Sequence, residues 1–176
     1  EQVGLIRDAG FSLYSDEFLK EFLPIKIMLC ADIDSVYMVW DFSSYPFKQI
    51  YQGKEVKAWY NYDNICVSYG SEAVTRMTKA DSLAFQNKMN QIFIASMIGR
   101  KKSVPSKEFE EITNYSTNNI NYLSAVELWK LGVPRSVSYN VSVDIDWQSF
   151  LLMMVCCSEE FLTRTPEYSS DWDYTM

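Results

Sequence analysis

The sequence contains no histidine. That absence excludes Ser-His and Cys-His catalysis and every zinc site that needs an imidazole ligand, whatever the fold. Only six glycines are present, and neither a phosphate-binding loop nor a dinucleotide-binding glycine motif occurs. The nucleophile motifs G-x-S-x-G and S-x-x-K are absent as well. The composition therefore argues against catalysis by any of these routes.

Positive charge is scarce, with 16 Lys and Arg against 23 Asp and Glu and a formal net charge of −7. A chain with this balance repels phosphate backbones, which excludes general nucleic-acid binding. The one basic cluster, Arg100-Lys101-Lys102, follows Gly99. We interpret it as a helix end rather than an anion site, with Gly99 as a left-handed cap and the cations at the negative pole of the helix.

Four cysteines are present, none in a C-x-x-C pair, and we predict no metal site and no cofactor. Cys30 and Cys66 lie in strand-like sequence, whereas Cys156 and Cys157 end an apolar run. Buried thiols are the expected state, although a Cys30–Cys66 disulfide stays open. The longest apolar run, from Phe150 to Cys157, is far too short to span a membrane.

The order of predicted elements is strands first and helices afterwards, which indicates an α+β fold. Turn residues separate short β-branched and aromatic segments, with Gly53 predicted as one of the turns. We predict strands at 25–29, 35–40, 56–60 and 65–69, and a small sheet of three or four strands. Helices are predicted at 16–23, 78–98, 123–131 and 146–164, with Ser15 and the Thr78–Asp81 pair as N-terminal caps and Gly99 and Gly132 as ends.

The length of 176 residues suits one domain, and we predict a single domain over residues 1–176. Within it we expect a helix and small sheet over 15–70 and a helical part over 78–165. The segment 166–176 is predicted to be a loose acidic tail.

Two carboxylates, Asp144 and Asp146, precede the last predicted helix. An acid–base pair would need a cleft and two separated pKa values. Residues at the start of a helix need neither, because the helix dipole favours negative charge there. We predict the helical role, and keep a carboxylate-dependent hydrolase as an alternative function.

Aromatic residues are concentrated between Tyr37 and Tyr69, a segment that holds ten of the 27 in the chain. Strands favour aromatic residues and a core can absorb them. Exposed Trp and Tyr rings can instead stack on sugars or on a partner's side chains. Trp40, Tyr45 and Trp59 are the candidate binding residues.

The segment FQNKMNQIFIASMIGRKKSVPSKEFEEIT, from Phe85 to Thr113, resembles the central part of a zinc metallopeptidase-like lipoprotein family of Bacteroidetes. In that family a helix with H-E-x-x-H runs into a basic turn, a Pro, E-F and I-T. Two further regions of the family are resembled by residues 18–30, FLKEFLPIKIMLC, and by residues 138–155, SYNVSVDIDWQSFLLMMV. The resemblance therefore covers roughly residues 18–160.

The resemblance implies a zincin-like fold that has lost its metal site. The two histidines of the motif fall on Ile92 and Ser96, its glutamate on Phe93, and a later acidic position near Leu152. Apolar side chains and one serine hydroxyl in these places cannot hold a dication or activate water, but they can pack as core.

The family setting implies a non-catalytic envelope or outer-membrane lipoprotein, with its lipid anchor missing from this sequence. The implied role is binding a nutrient, glycan or peptide, or a partner protein of an outer-membrane import system. A purely structural or assembly domain is a further alternative, with the aromatic segment as its interface.

Overall fold

The structure, a computed structural model, describes residues 1–61, 63–116, 120–134 and 141–163. It contains two compact units, Glu1–Phe93 and Ile94–Met176. All described strands lie in the first unit and are followed by helices, which confirms the α+β class. The prediction of a single domain stays a prediction, and the predicted acidic tail 166–176 lies outside the described residues.

In its described residues, the first unit contains five strands and three α-helices, the last of which extends beyond Phe93. A π-helical turn, Ile6–Gly10, continues the first helix, and a 3-10 turn, Glu72–Arg76, precedes the third. The elements are α1 (Gln2–Leu5), α2 (Asp16–Phe22), β1 (Lys26–Leu29), β2 (Asp34–Asp41), β3 (Lys48–Glu55), β4 (Ala58–Asn61), β5 (Asn64–Val67) and α3 (Lys79–Gly99).

The strands form two sheets rather than the single sheet that the sequence predicted. One sheet has the order β1-β5-β4, with β1 and β5 parallel. The other is an antiparallel hairpin of β2 and β3, in register from Asp34 opposite Glu55 to Asp41 opposite Lys48. A parallel pair needs a long crossover connection, and the hairpin and β4 lie within the segment that joins β1 to β5.

Strand β3 was not predicted, and the prediction that Gly53 forms a turn was wrong. Gly53 lies inside β3, opposite Val36. Every residue of β3 is exposed, and its sequence holds two lysines and two glutamines. A strand with no buried side produces no alternation of apolar and polar residues, so the pattern that identifies strands was missing.

The core of the first unit forms where α3 packs against the three-stranded sheet. Phe85, Met89 and Phe93 of α3 are fully buried together with Ile65 and Val67 of β5. The ring of Phe93 is surrounded by aromatic rings, with centroid distances of 5.5 Å to Phe11, 5.0 Å to Tyr14 and 6.2 Å to Phe18. This cluster joins the N-terminal segment to α3.

The predicted helix starts of this unit are confirmed. The Ser15 hydroxyl accepts a hydrogen bond of 3.2 Å from the Phe18 amide at the start of α2. At the start of α3, the Thr78 amide donates to the Asp81 carboxylate at 2.9 Å, and the Asp81 amide donates to the Thr78 hydroxyl at 3.1 Å. These bonds satisfy amides that have no partner within the helix.

The second unit is helical in its described part. Its elements are α4 (Lys107–Ile112), a 3-10 turn (Ile120–Tyr122), α5 (Ala125–Lys130), α6 (Val143–Cys156) and α7 (Glu159–Thr163). The prediction of one helix over 146–164 was wrong, because Cys157 is extended and ends α6. The Ser158 hydroxyl then accepts a hydrogen bond from the Phe161 amide and caps a new helix.

The end of α3 is built differently from the prediction. Gly99 is the last residue of the helix itself rather than a left-handed cap after it, and the left-handed residue is Lys101, with φ of 54°. The Lys102 amide donates to the Met97 carbonyl and the Lys101 amide to the Ile98 carbonyl. This pair of bonds is a Schellman motif, in which glycine is the preferred residue at the position that Lys101 occupies.

Replacing Lys101 with Gly is therefore expected to raise the free energy of unfolding by up to about 1 kcal/mol, since glycine adopts a positive φ without a steric penalty. Urea denaturation followed by circular dichroism measures the change. Lys102→Gly is the matched control, because Lys102 lacks a positive φ. A Lys101→Gly chain no more stable than Lys102→Gly would contradict the assignment.

Candidate functional site

The positions of the resembled zinc motif lie in buried parts of α3. Ile92, Phe93 and Ser96 are all buried, and so is Leu152 in α6. Among the described residues, no three Cys, Asp or Glu side chains lie close enough together to hold a metal ion. Burial of this kind is common to any core helix, so it does not by itself test the resemblance.

The aromatic segment is exposed rather than packed in a core. Of the ten aromatic side chains from Tyr37 to Tyr69, eight are exposed, Tyr69 is buried, and Tyr62 lies outside the described residues. The exposed fractions of the three candidates are 53% for Trp40, 89% for Tyr45 and 50% for Trp59. Most of this aromatic surface is therefore available to a ligand or a partner.

The hairpin register places many of these side chains on one side of the hairpin. Residues directly opposite in antiparallel strands share a face, and residues two apart along a strand share it too. Met38 lies opposite Tyr51, and the rings of Phe42 and Phe47 meet at 5.1 Å just beyond the Asp41–Lys48 pair, where the ladder ends. We call this side the aromatic face; its large apolar members are Val36, Met38, Trp40, Phe42, Phe47 and Tyr51, and the polar Gln49 lies on it opposite Trp40.

The aromatic face is apolar along most of its length. Its charged side chains, Asp34 and Glu55, lie opposite each other at the base of the hairpin. Asp41, Lys48 and Lys54 belong to the opposite side of the hairpin. This segregation suits an uncharged, ring-shaped or apolar ligand on the aromatic face.

The three predicted binding residues fall in two places. Trp40 lies on the aromatic face, and Tyr45 lies in the connection beyond it, with its ring 5.8 Å from that of Phe47. Trp59 lies on β4 of the other sheet, opposite Cys66. The hairpin is therefore the denser site. No alternation in the sequence could have identified the face, because Tyr37 and Val39, on the other side of the hairpin, are apolar as well.

A cleft of about 640 Å³ that several charged side chains line lies elsewhere in the first unit, and the sequence analysis did not predict it. The Lys57 ammonium is 4.8 Å from the centroid of the Tyr69 ring and 3.1 Å from the Glu55 carboxylate. A hydrogen bond with Tyr69 is the main cause of a raised pKa for Lys57. At the same cleft Arg76 pairs with Glu72 at 3.0 Å. Because these cations already have carboxylate partners, the cleft is a weaker candidate than the aromatic face.

The pair of predicted helix carboxylates divides into one exposed and one buried group. Asp144 and Asp146 both lie in the first turn of α6, as predicted, and the Ser142 hydroxyl caps that helix. The Asp146 side chain, however, points inward and is only 2% exposed, which the prediction of an ordinary helix start did not foresee.

Asp146 forms a buried pair with Tyr115. The Tyr115 hydroxyl donates a hydrogen bond to Oδ2, while Oδ1 has no partner among the described residues. Burial raises the pKa of Asp146 to about 6 and is also the main cause of the raised pKa of Tyr115. A carboxyl group so far from solvent is poorly placed to act on a substrate, which weighs against the hydrolase alternative.

The cysteines do not form disulfides in the structure, and all four are half-buried, whereas most of them were expected to be buried. Cys66 lies in β5 beside Met28 of β1, with the two sulfur atoms 3.9 Å apart. Burial is the main cause of a raised pKa for the Cys66 thiol, and Cys30 contributes to it. A raised pKa lowers the fraction of thiolate, so Cys66 is a poor nucleophile at neutral pH.

Comparisons with protein-family models, with curated proteins and with solved structures gave no match to this chain. The resemblance to zinc metallopeptidase-like lipoproteins therefore stays a prediction from the sequence. Within the described residues, no helix combines the length and the apolar content that crossing a bilayer demands. The aromatic face is the feature that any functional proposal has to explain.

Proposed function

We propose that this chain is a non-catalytic binding protein and that the aromatic face of the β2–β3 hairpin is its binding surface. The observation that carries the proposal is the exposure of a contiguous row of large apolar side chains. Soluble proteins rarely leave such a row uncovered unless it contacts a ligand, a membrane or a partner. Residues of the row are at least half exposed.

The chemistry of the aromatic face favours a neutral glycan as the ligand. Trp and Tyr rings offer flat apolar surfaces for sugar rings together with a polar edge for hydrogen bonds. The nearest charged side chains of this face, Asp34 and Glu55, are confined to its base, so an uncharged ligand would not have to displace an ion pair. An acidic ligand would also be repelled by the net charge of −7.

The wider setting of the proposal rests on the sequence resemblance. We take the chain to be zincin-like and to act at the cell envelope as a lipoprotein that supplies an outer-membrane import system. Apolar groups at Ile92 and Phe93 and a hydroxyl at Ser96 support the non-catalytic part, since none of them is a strong zinc ligand or a general base for water. A peptide ligand or an import protein as partner are the alternative occupants of the same face.

Replacing Trp40 with Ala is expected to weaken glycan binding about tenfold, because removing one stacked ring costs about 1–2 kcal/mol. A glycan array of neutral and acidic oligosaccharides identifies the ligand, and isothermal titration calorimetry with that oligosaccharide measures the affinity. Trp59→Ala is the matched control, because Trp59 is equally exposed but lies on the other sheet. It is expected to change the affinity less than twofold.

Three outcomes would contradict the proposed function. If no oligosaccharide on the array binds, the ligand is not a glycan. If Trp40→Ala and Trp59→Ala lose the same amount of affinity, the aromatic face is not the binding site. One zinc per chain by elemental analysis, with peptidase activity that chelation abolishes, removes the non-catalytic assignment.

A further inference from the structure

The outer edge of β2 is an unprotected strand edge. In the described part of the chain, β2 has hydrogen-bonded strand neighbours only on the side of β3, so its other edge presents backbone amides and carbonyls without a strand partner. Natural proteins usually guard such edges with lysines, prolines or bulges. Between Ser35 and Trp40, β2 has no charge, no proline and no break in register.

The edge of β3 differs in the kind of charge that it carries, since β3 has Lys48 and Lys54 near its ends and Gly53 beside the second, whereas the charges at the ends of β2 are Asp34 and Asp41. Lysine on an edge strand opposes pairing with another chain, and glycine weakens a strand. The two edges of the hairpin are thus unequal, and β2 is the one that invites a further strand.

The hairpin also lacks the support that a two-stranded sheet needs. Every residue of β3 is exposed, and Val36, Met38 and Trp40 of β2 are at least half exposed. An isolated hairpin is marginally stable in water, whereas three or more strands with an apolar face are stable. A further strand along β2 would supply this support.

The side chains of β2 are compatible with a second copy of the same strand. If two β2 strands pair antiparallel about Met38, Val36 of each copy lies opposite Trp40 of the other, and Ser35 lies opposite Asp41. Pairs of β-branched and aromatic residues are favourable across strands, and a hydroxyl can donate to a carboxylate. The pairing brings no like charges together. The equivalent pairing of two β3 strands about Tyr51 would place Lys48 opposite Lys54, a repulsive pair.

We propose that two copies of this chain associate through β2, antiparallel about Met38, and form a four-stranded sheet in the order β3-β2-β2-β3. A two-fold axis perpendicular to the sheet keeps the aromatic faces of both copies on the same side. The second copy thereby continues the aromatic face into one surface of twice the size. The association goes beyond the proposed glycan binding and does not depend on it.

Sedimentation velocity and light scattering of the purified full chain over a wide concentration range test the association. The wild type is expected to reach twice its chain mass of 20.5 kDa. Met38→Lys places two ammonium groups together at the two-fold axis and is expected to weaken the dimer at least about tenfold. Tyr51→Lys is the matched control, because Tyr51 is opposite Met38 on the same face but one strand away from the axis. It is expected to leave the dimer unchanged.

A charge swap supplies the confirming measurement. Met38→Glu alone is expected to be monomeric, and an equimolar mixture of Met38→Lys and Met38→Glu is expected to regain the dimer through opposite charges at the axis. That recovery also shows that both variants are folded. A wild type that stays monomeric, or a mixture that stays monomeric, overturns the proposal. Equal weakening by Met38→Lys and Tyr51→Lys overturns it too, because it indicates face-to-face packing.

The outcome is separable from that of the glycan experiment. A monomer that binds an oligosaccharide overturns the association through β2 and leaves the proposed function in place. A dimer that Met38→Lys weakens but that binds no oligosaccharide overturns the proposed glycan binding and leaves the association through β2 in place.

Discussion

Replacing Phe93 with Ala is expected to lower the free energy of unfolding by about 3–5 kcal/mol, the range found for truncating a fully buried aromatic side chain. Phe93 has no exposed surface, and its ring lies against those of Phe11, Tyr14 and Phe18. Each edge-to-face contact adds to the loss of buried area. A domain of ordinary stability would lose a large part of its total in this one step.

Urea denaturation monitored by circular dichroism gives the value, and Leu83→Ala is the control on the same helix. Leu83 is exposed, so its truncation is expected to cost less than about 0.5 kcal/mol. Phe93→Glu is expected to be worse than Phe93→Ala, since it adds a buried charge. A Phe93→Glu chain as stable as the wild type would show that position 93 faces water, contrary to the structure.

The helix of Phe93 was predictable because its signals are local. Thr78 and Asp81 satisfy the first amides of α3, and the apolar residues that follow cover a broad face. Cap chemistry and helical spacing act within a few residues, so the sequence alone carries them. The same reasoning failed at Lys101, because the left-handed residue lies two positions after Gly99 and is not itself a glycine.

The hairpin shows what the sequence could not provide. Whether an aromatic strand is buried or exposed depends on what packs against it, and no local pattern encodes that. The aromatic face exists because the register sets Met38 opposite Tyr51, and this register involves β3, a strand without an apolar pattern of its own. The buried Asp146 has a similar origin, because its partner Tyr115 lies 31 residues away in the chain.

Asp146 is expected to make the chain less stable as the pH rises from about 4 to about 6. Its folded pKa of about 6 lies above the ordinary value of 3.8, so within this window the unfolded chain releases a proton that the folded chain keeps. The free energy of unfolding then falls with increasing pH. The contribution is fully present below pH 3.8 and is lost above the folded pKa, a total change of about 3 kcal/mol.

Asp146→Asn removes the titration while it preserves the shape of the side chain, so its stability is expected to lose this fall between pH 4 and 6. At pH 7 the variant is expected to exceed the wild type by about 1–2 kcal/mol, because a buried amide without a full set of partners costs less than a buried carboxylate. Urea denaturation at a series of pH values measures both quantities. Asp144→Asn is the control, because the Asp144 side chain is exposed although it lies only two residues before Asp146. This variant is expected to keep the wild-type dependence of stability on pH. If the stability of the wild type and that of Asp146→Asn depend on pH in the same way, Asp146 is already ionised in the folded chain. Its burial would then not raise its pKa, contrary to the prediction.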